Sequence, residues 1–279
     1  MASGTRITLR RGPRGGCGFI VAGTIMIHPS TAYKGISSPD PELFIPKLRR
    51  LADRVHKYGT TILLQLLHAG REMYMDDGLR PQWAFSAIPS PVFEETPHEM
   101  TVAEIKEIID SYVKYSVVAK EGGYDGVELH GTHGYLIQQS WSPWANQRTD
   151  EYRCGFGFIT ELLNKIRAAV GKDFILGIRI SVDDLMPGGM DNAKMIEVAE
   201  YLESTGHIDF IDTSAGGITS HYAYTIGPNY VPLGAFVPLM AKMKAALKTT
   251  PLIAAIRIND PQQAEEILEN GYADMVVMT

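Results

Sequence analysis

Short runs of consecutive apolar residues alternate with longer segments whose apolar positions recur every three or four residues, along nearly all of the 279-residue chain. Gly18–Ala22, Thr60–Leu66, Gly126–His130, Phe174–Ile180, Ile208–Thr213, Pro251–Ile256 and Ala273–Met278 read as buried strands, because each apolar run is short and bounded by turn residues. Helical spacing is expected over Pro46–Tyr58, where Leu48, Leu51, Ala52 and Val55 share a face. It is expected again over Ile159–Val170, Asp191–Ser204, Phe236–Leu247 and Pro261–Asn270. A further helix opens at Thr101, with Glu104 completing a capping box, and runs to about Gly122. The polar, proline-rich stretch from His68 to Met100 exceeds ordinary loop length and reads as an active-site loop.

Seven strands separated by helix-length crossovers imply parallel pairing. Two α/β architectures satisfy that alternation, an open doubly wound sheet and a (β/α)8 TIM barrel. The polar residues favour the barrel. His130, Arg179, Thr213 and Arg257 fall at or near the C-terminal ends of different strands, and Gln65 falls late in another. In a barrel those ends converge on one mouth, where active sites lie. A doubly wound sheet would place a glycine-rich fingerprint after its first strand, whereas GPRGG precedes that strand here.

Composition removes several other classes. Twenty-six basic against 32 acidic residues give a formal net charge of −6, opposite to the basic footprint of a nucleic-acid binder. The two cysteines, Cys17 and Cys154, are too few for a disulfide scaffold or a four-thiolate metal site. No apolar run reaches the roughly 18 residues of a membrane span. A soluble cytoplasmic protein is expected, with an irregular lead-in over residues 1–14 and one domain over 15–279. The lead-in carries Arg6, Arg10, Arg11 and Arg14 and has no hydrophobic secretory core.

The densest chemistry lies in DGVELHGTHGYLIQQSWSPWANQR, residues 125–148. His130 closes a strand, and His133 and Tyr135 follow at once, so two imidazoles and a phenol meet at the mouth. Together they can donate hydrogen bonds to an anionic oxygen or ring nitrogen, and can supply a proton. Gln65, an amide inside LLQLLHAGR, needs a partner such as a pyrimidine-like ring edge, or else a neighbouring strand. Arg179 in LGIRIS needs an anion or an ion pair, for which Glu128 is the expected protein partner. Arg257 ends the next-to-last strand, where barrels commonly bind phosphate. Arg71 reads as a solvated loop charge. A competing reading makes His68, His130 and His133 the ligands of a metal-dependent hydrolase.

LLQLLHAGR, DGVELHGTHGYLIQQSWSPWANQRTDEY, GIRIS and INDPQQAEEILENGYADMVVMT resemble the old yellow enzyme family of FMN-dependent oxidoreductases. WSPWANQRTDEY and the terminal MVVMT point to the branch that holds 2,4-dienoyl-CoA reductase, 2-enoate reductases and trimethylamine dehydrogenase. The resemblance runs from about Gly15 to Thr279. It implies a TIM barrel with FMN across its mouth and NAD(P)H as the electron donor. Thr24 would lie along the flavin ring, Gln65 would pair with its pyrimidine edge, and Arg179 would stabilise charge on the reduced ring. His130 and His133 would bind the activating oxygen of a small-molecule substrate, an enone or enoate, and Tyr135 would protonate it as hydride arrives.

Departures from the family pattern imply an incomplete barrel, without the first strand and its flavin-contacting Met-Ala-Pro segment and without the closing helix. Arg153-Cys154-Gly155-Phe156-Gly157 replaces a longer family segment, and Ile256 stands where a glycine normally lets the backbone approach the FMN phosphate. Weak flavin binding follows from those changes, and a catalytically impaired barrel serving as an interaction module is the third reading. No nucleic-acid or membrane partner is expected, and association into a homo-oligomer is left open.

Overall fold

The computed structural model describes residues 13, 15–31, 39–73, 81–218 and 227–278. The expected irregular lead-in lies, apart from Pro13, outside the described residues. In chain order the elements are β1 (Phe19–Met26), α1 (Pro41–His56), β2 (Thr61–Leu67), β3 (Trp83–Ala84), β4 (His98–Glu99), α2 (Val102–Glu121) and β5 (Gly126–Gly131). Then follow α3 (Leu136–Trp141), α4 (Gly157–Val170), β6 (Ile175–Ser181), α5 (Asn192–Ser204), β7 (Phe210–Ser214), α6 (Val237–Ala246), β8 (Leu252–Ala254), α7 (Pro261–Glu269) and β9 (Met275–Val276).

Seven of these strands form one parallel sheet in the order β1-β2-β5-β6-β7-β8-β9, so each strand joins the next one along the chain. A doubly wound sheet would reverse its strand order at a switch point, and this one never does. The two faces of the sheet differ accordingly. Ile62, Leu64, Leu66, Val127, Leu129, Leu176, Ile178 and Ile211 pack into the large core that also holds the helix residues. The alternate residues Leu63, Phe210 and Ile253 pack with Phe19, Val21, Ile175, Met275 and Val277 in a second, smaller core. That second core is the floor of a curled sheet, an incomplete barrel whose edge strands β1 and β9 do not pair with each other among the described residues. Gly177 makes room for it, since a Cβ there would lie 2.0 Å from the Phe210 ring.

Several element bounds differ from the sequence reading for local reasons. Helix α1 begins five residues early, because Asp40 caps it by accepting from Glu42 N (2.9 Å) and Pro41 fits the first turn. Strand β1 runs on past Gly23, where its register with β2 shifts. The extra residue is a bulge, with Gly23 at φ 29°, and it turns Thr24 onto the face of Gln65 rather than the opposite one. Strand β8 stops at Ala254, because Ile256 and Arg257 adopt left-handed backbone, φ 72° and 57°.

The stretch from His68 to Met100 is tied down along its described part. β3 and β4 pair in parallel, and Arg148 Nη1 donates to Phe85 O (3.0 Å) and Met100 O (2.6 Å). Beyond it the expected capping box is present. Thr101 Oγ1 accepts from Glu104 N (3.2 Å), and Glu104 Oε2 accepts from Thr101 N (2.7 Å). Thr101→Ala should therefore lower unfolding free energy by about 1 kcal/mol, read as a shift of the urea midpoint at unchanged slope.

Candidate active site

Side chains on the inner face form two layers. Below is the apolar floor; above it, toward the C-terminal ends, the inward positions turn polar, with Thr24, Gln65, Glu128, Arg179 and Asp212. Their contacts follow the strand register, in which Thr24 lies beside Gln65, Gln65 beside Glu128, and Arg179 beside Asp212. Thr24 Oγ1 donates to Gln65 Oε1 (2.5 Å), and Gln65 Nε2 donates to Glu128 Oε1 (2.6 Å). Arg179 Nη1 donates to Asp212 Oδ2 (2.9 Å). The protein partner of Arg179 is thus Asp212 rather than the expected Glu128. Register explains the change, since Glu128 lies beside Gly177 and Arg179 one rung higher lies beside Asp212.

His130, beside Arg179 on the next strand, leads into the mouth. The chain then turns sharply, with His133 and Gly134 both left-handed (φ 63° and 80°). Gln138 Oε1 accepts from Gly134 N (2.8 Å), and Gln139 Nε2 donates to Gly134 O (2.6 Å), so the first turn of α3 holds the loop from both sides. The turn gathers the three rings edge to face. Centroids lie 5.2 Å apart for His130 and His133, 4.9 Å for His130 and Tyr135, and 6.1 Å for His133 and Tyr135. His133 Nε2 also meets Ser214 Oγ at 2.7 Å.

Both imidazoles are neutral at physiological pH. Burial, and then the positive charge of Arg179, lower His130 to about 3. Burial, then His130 and Arg179, hold His133 well below its ordinary value. Neutral rings this close to a guanidinium can donate hydrogen bonds without carrying a proton of their own to release.

A cavity of about 760 Å³ opens between the sheet edges β1 and β9, lined by Thr24, Gln65, Arg179 and Asp212 above and by Phe19 and Val21 of the floor. Arg179 Nε is buried beside it with no hydrogen-bond partner among the described residues. A buried donor left so is an invitation to an acceptor from outside the chain. Sequence reasoning missed Asp212 and Ser214. It singled out Thr213, whose hydroxyl instead donates to Ile253 O (2.7 Å) between strands.

The remaining candidates lie elsewhere. Arg257 turns to the segment before α6, where its Nε donates to Val231 O (2.8 Å) and its Nη1 reaches Asn229 Oδ1 (3.5 Å). Arg71, expected as a solvated charge, is buried, 4.0 Å over the Trp144 ring and paired with Glu72 (3.3 Å). His68 is held by Ser30 Oγ (2.9 Å) and by Gly70 N, which donates to its Nδ1 (3.1 Å). No three metal-ligating side chains come together among the described residues, and His68 does not join His130 and His133.

Comparisons with known proteins identify the family of the chain. The family described as NADH:flavin oxidoreductase / NADH oxidase matches residues 11–279. N,N-dimethylglycine/sarcosine dehydrogenase of Chromohalobacter salexigens is 36% identical over 276 residues, 95% of this chain and 40% of that protein. NADPH dehydrogenase of Bacillus pumilus is 34% identical over 268 residues, 91% of this chain and 75% of the relative. Among solved structures, 2-naphthoyl-CoA reductase in complex with 2-naphthoyl-CoA superposes with TM-score 0.87 at 28% identity, covering 96% of this chain and 43% of that one. The chain therefore spans about two fifths of the length of the larger relatives it matches.

Proposed function

Because the chain belongs to the NADH:flavin oxidoreductase / NADH oxidase family, we propose that it is the FMN-holding part of an oxidoreductase that passes electrons from NAD(P)H to an activated alkene. The observation that carries this reading is the buried, unpartnered Arg179 Nε on a cavity that Thr24 and Gln65 also line. A flavin ring edge offers alternating acceptors and donors, which suit a guanidinium and an amide side by side. FMN, when bound, would supply the two-electron chemistry. Thr24, Gln65 and Arg179 would hold its ring. Arg257 would reach the phosphate with the guanidinium N–H groups that Val231 and Asn229 leave over.

The chain's own chemistry follows from the three mouth rings. His130 and His133, neutral and close together, donate to a carbonyl or carboxylate oxygen and stabilise negative charge as it develops there. Tyr135 carries a phenol O–H and delivers that proton to the substrate carbon. Two neutral donors and an acid suit the reduction of an enone or enoate better than the oxidation of an amine, which needs a proton removed rather than given. A small-molecule substrate and a reducing, cytoplasmic setting complete the reading. The latter is supported by two free cysteines, one of them exposed; among the described residues no helix is long and apolar enough to cross a membrane.

Titrating the purified chain with FMN, followed by the visible flavin spectrum, tests the cofactor, and failure to bind at any concentration overturns the reading. Ile256 sharpens the experiment. A β-branched residue at φ 72° is strained by about 1–2 kcal/mol relative to glycine. Ile256→Gly should raise stability by that amount and tighten FMN by roughly tenfold. Unchanged affinity would place the phosphate away from this turn.

A further inference from the structure

The mouth rings and the flavin-facing pair leave two inner-face carboxyl groups without a role, Glu128 and Asp212. Both are almost wholly buried, at 0% and 2% exposure. Each spends one oxygen on a neighbour, Glu128 Oε1 on Gln65 and Asp212 Oδ2 on Arg179. Their other oxygens, Glu128 Oε2 and Asp212 Oδ1, are buried too, and neither receives an N–H or hydroxyl from any described residue. The two carboxyl groups reach each other instead, within hydrogen-bonding contact. Two carboxylates cannot make that contact while both are ionised, because neither has a hydrogen to give.

We propose that the carboxyl groups of Glu128 and Asp212 share a single proton, and that this acid pair is the positioning device for Gln65 and Arg179. The charges then close. One carboxylate charge remains on the pair, and the Arg179 guanidinium beside it cancels that charge. With the proton missing, two negative charges would face one positive charge in a buried layer, where uncompensated charge is costly. The groups that bear on the pair from each side are few. Gln65 on β2 and Thr24 on β1 are neutral, His130 and His133 above are neutral imidazoles, and Arg179 on β6 is the one cation among them. Burial first, and then the like charge of Asp212, raise Glu128 above the usual carboxylate range, while Arg179 and Gln65 pull the other way.

Positioning follows from the direction of each bond. Glu128 accepts from Gln65 Nε2, so the Gln65 amide cannot flip without losing both that bond and the one from Thr24. Its remaining N–H is then the one presented to the cavity. Asp212 likewise fixes one arm of Arg179 and leaves Nε for a ligand. Glu128 and Asp212 act through their neighbours, and the proton they hold does not depend on whether a cofactor is present.

Infrared spectroscopy of the folded, cofactor-free chain decides the matter. A protonated carboxyl stretch should be present at neutral pH and should shift when glutamate alone carries 13C in its side-chain carboxyl. Glu128→Gln should abolish that band, because the amide can donate to Asp212 and accept from Gln65 with no acid proton. The pH profile gives a second readout. A folded carboxyl raised above its unfolded value contributes stability that is complete below the ordinary carboxylate pKa and is lost as pH rises through the raised value. Glu128→Gln should remove that fall from the melting temperature measured against pH. Absence of a glutamate-sensitive band in the wild-type chain overturns the proposal without any variant, and a band that survives Glu128→Gln overturns it too. If the chain instead binds no FMN, the cofactor reading fails, and the infrared result still decides the shared proton.

Discussion

Replacing Tyr135 with phenylalanine should slow turnover of an enone by roughly 100-fold while leaving bleaching of the flavin by NAD(P)H nearly unchanged. The size is that of a general acid removed from a site whose other parts stay in place. The selectivity comes from geometry. Tyr135 sits edge to face with both His130 and His133, so its ring lies beside the imidazoles that would hold the substrate's oxygen. Taking electrons from NAD(P)H needs no such proton. Stopped-flow absorbance follows the two halves separately. Equal slowing of both would make Tyr135 a packing residue of the mouth and remove it as the acid. Loss of His130 or His133 should act differently, by weakening phenolic ligands that imitate a developing oxyanion.

Arg179→Met should cost about 3–5 kcal/mol of unfolding free energy, the range for breaking a buried ion pair from one side. Arg179 is the only described cation hydrogen-bonded to Asp212, which lines the cavity beside it. Without it, the carboxyl pair faces the interior with uncompensated charge. The sign with pH is fixed. Removing the guanidinium raises the carboxyl pKa in the folded chain, so stability should recover as pH falls and the pair gains a second proton. Urea unfolding at neutral and at mildly acidic pH measures both numbers, and FMN should no longer bind at either. A loss below 1 kcal/mol at neutral pH would mean that water screens Asp212 and that the layer is open to solvent.

How far this site could be read in the sequence depends on where strand periodicity has a visible phase. In GVELHG the alternation is clean, and Glu128 and His130 fall on one face as the pattern requires. In FIDTS three consecutive polar residues, Asp212, Thr213 and Ser214, close the strand, so no polar alternation marks the inner face and nothing in the sequence favours Asp212 over Thr213. Phe210 resolves the phase only once it is seen in the floor with Leu63 and Ile253. Gly23 misled for another reason. A glycine after an apolar run signals a strand end, yet here it is the extra residue of a bulge, and only a partner strand can reveal a bulge. Helix α3 and the β3–β4 pair are too short to show any period. Their positions are set by Gln138 and Gln139 bonding back to the Gly134 backbone and by Arg148 reaching the backbone of Phe85 and Met100 far along the chain. The capping box at Thr101 was legible because both of its partners lie within four residues.

A sheet that adds its strands in the order of the chain has a consequence for the sequence of events on the ribosome. Every hydrogen bond among Thr24, Gln65, Glu128, Arg179 and Asp212, and the contact of His133 with Ser214, is made by residues that precede residue 215. Nothing in β8, α7 or β9 contributes to them. A nascent chain can therefore assemble its polar layer strand by strand as it emerges, by pairing only between neighbours, which keeps the entropy of each closure small. The strands made last arrive against a site already in place, and their work is to bring Ile253, Met275 and Val277 to the floor beneath it.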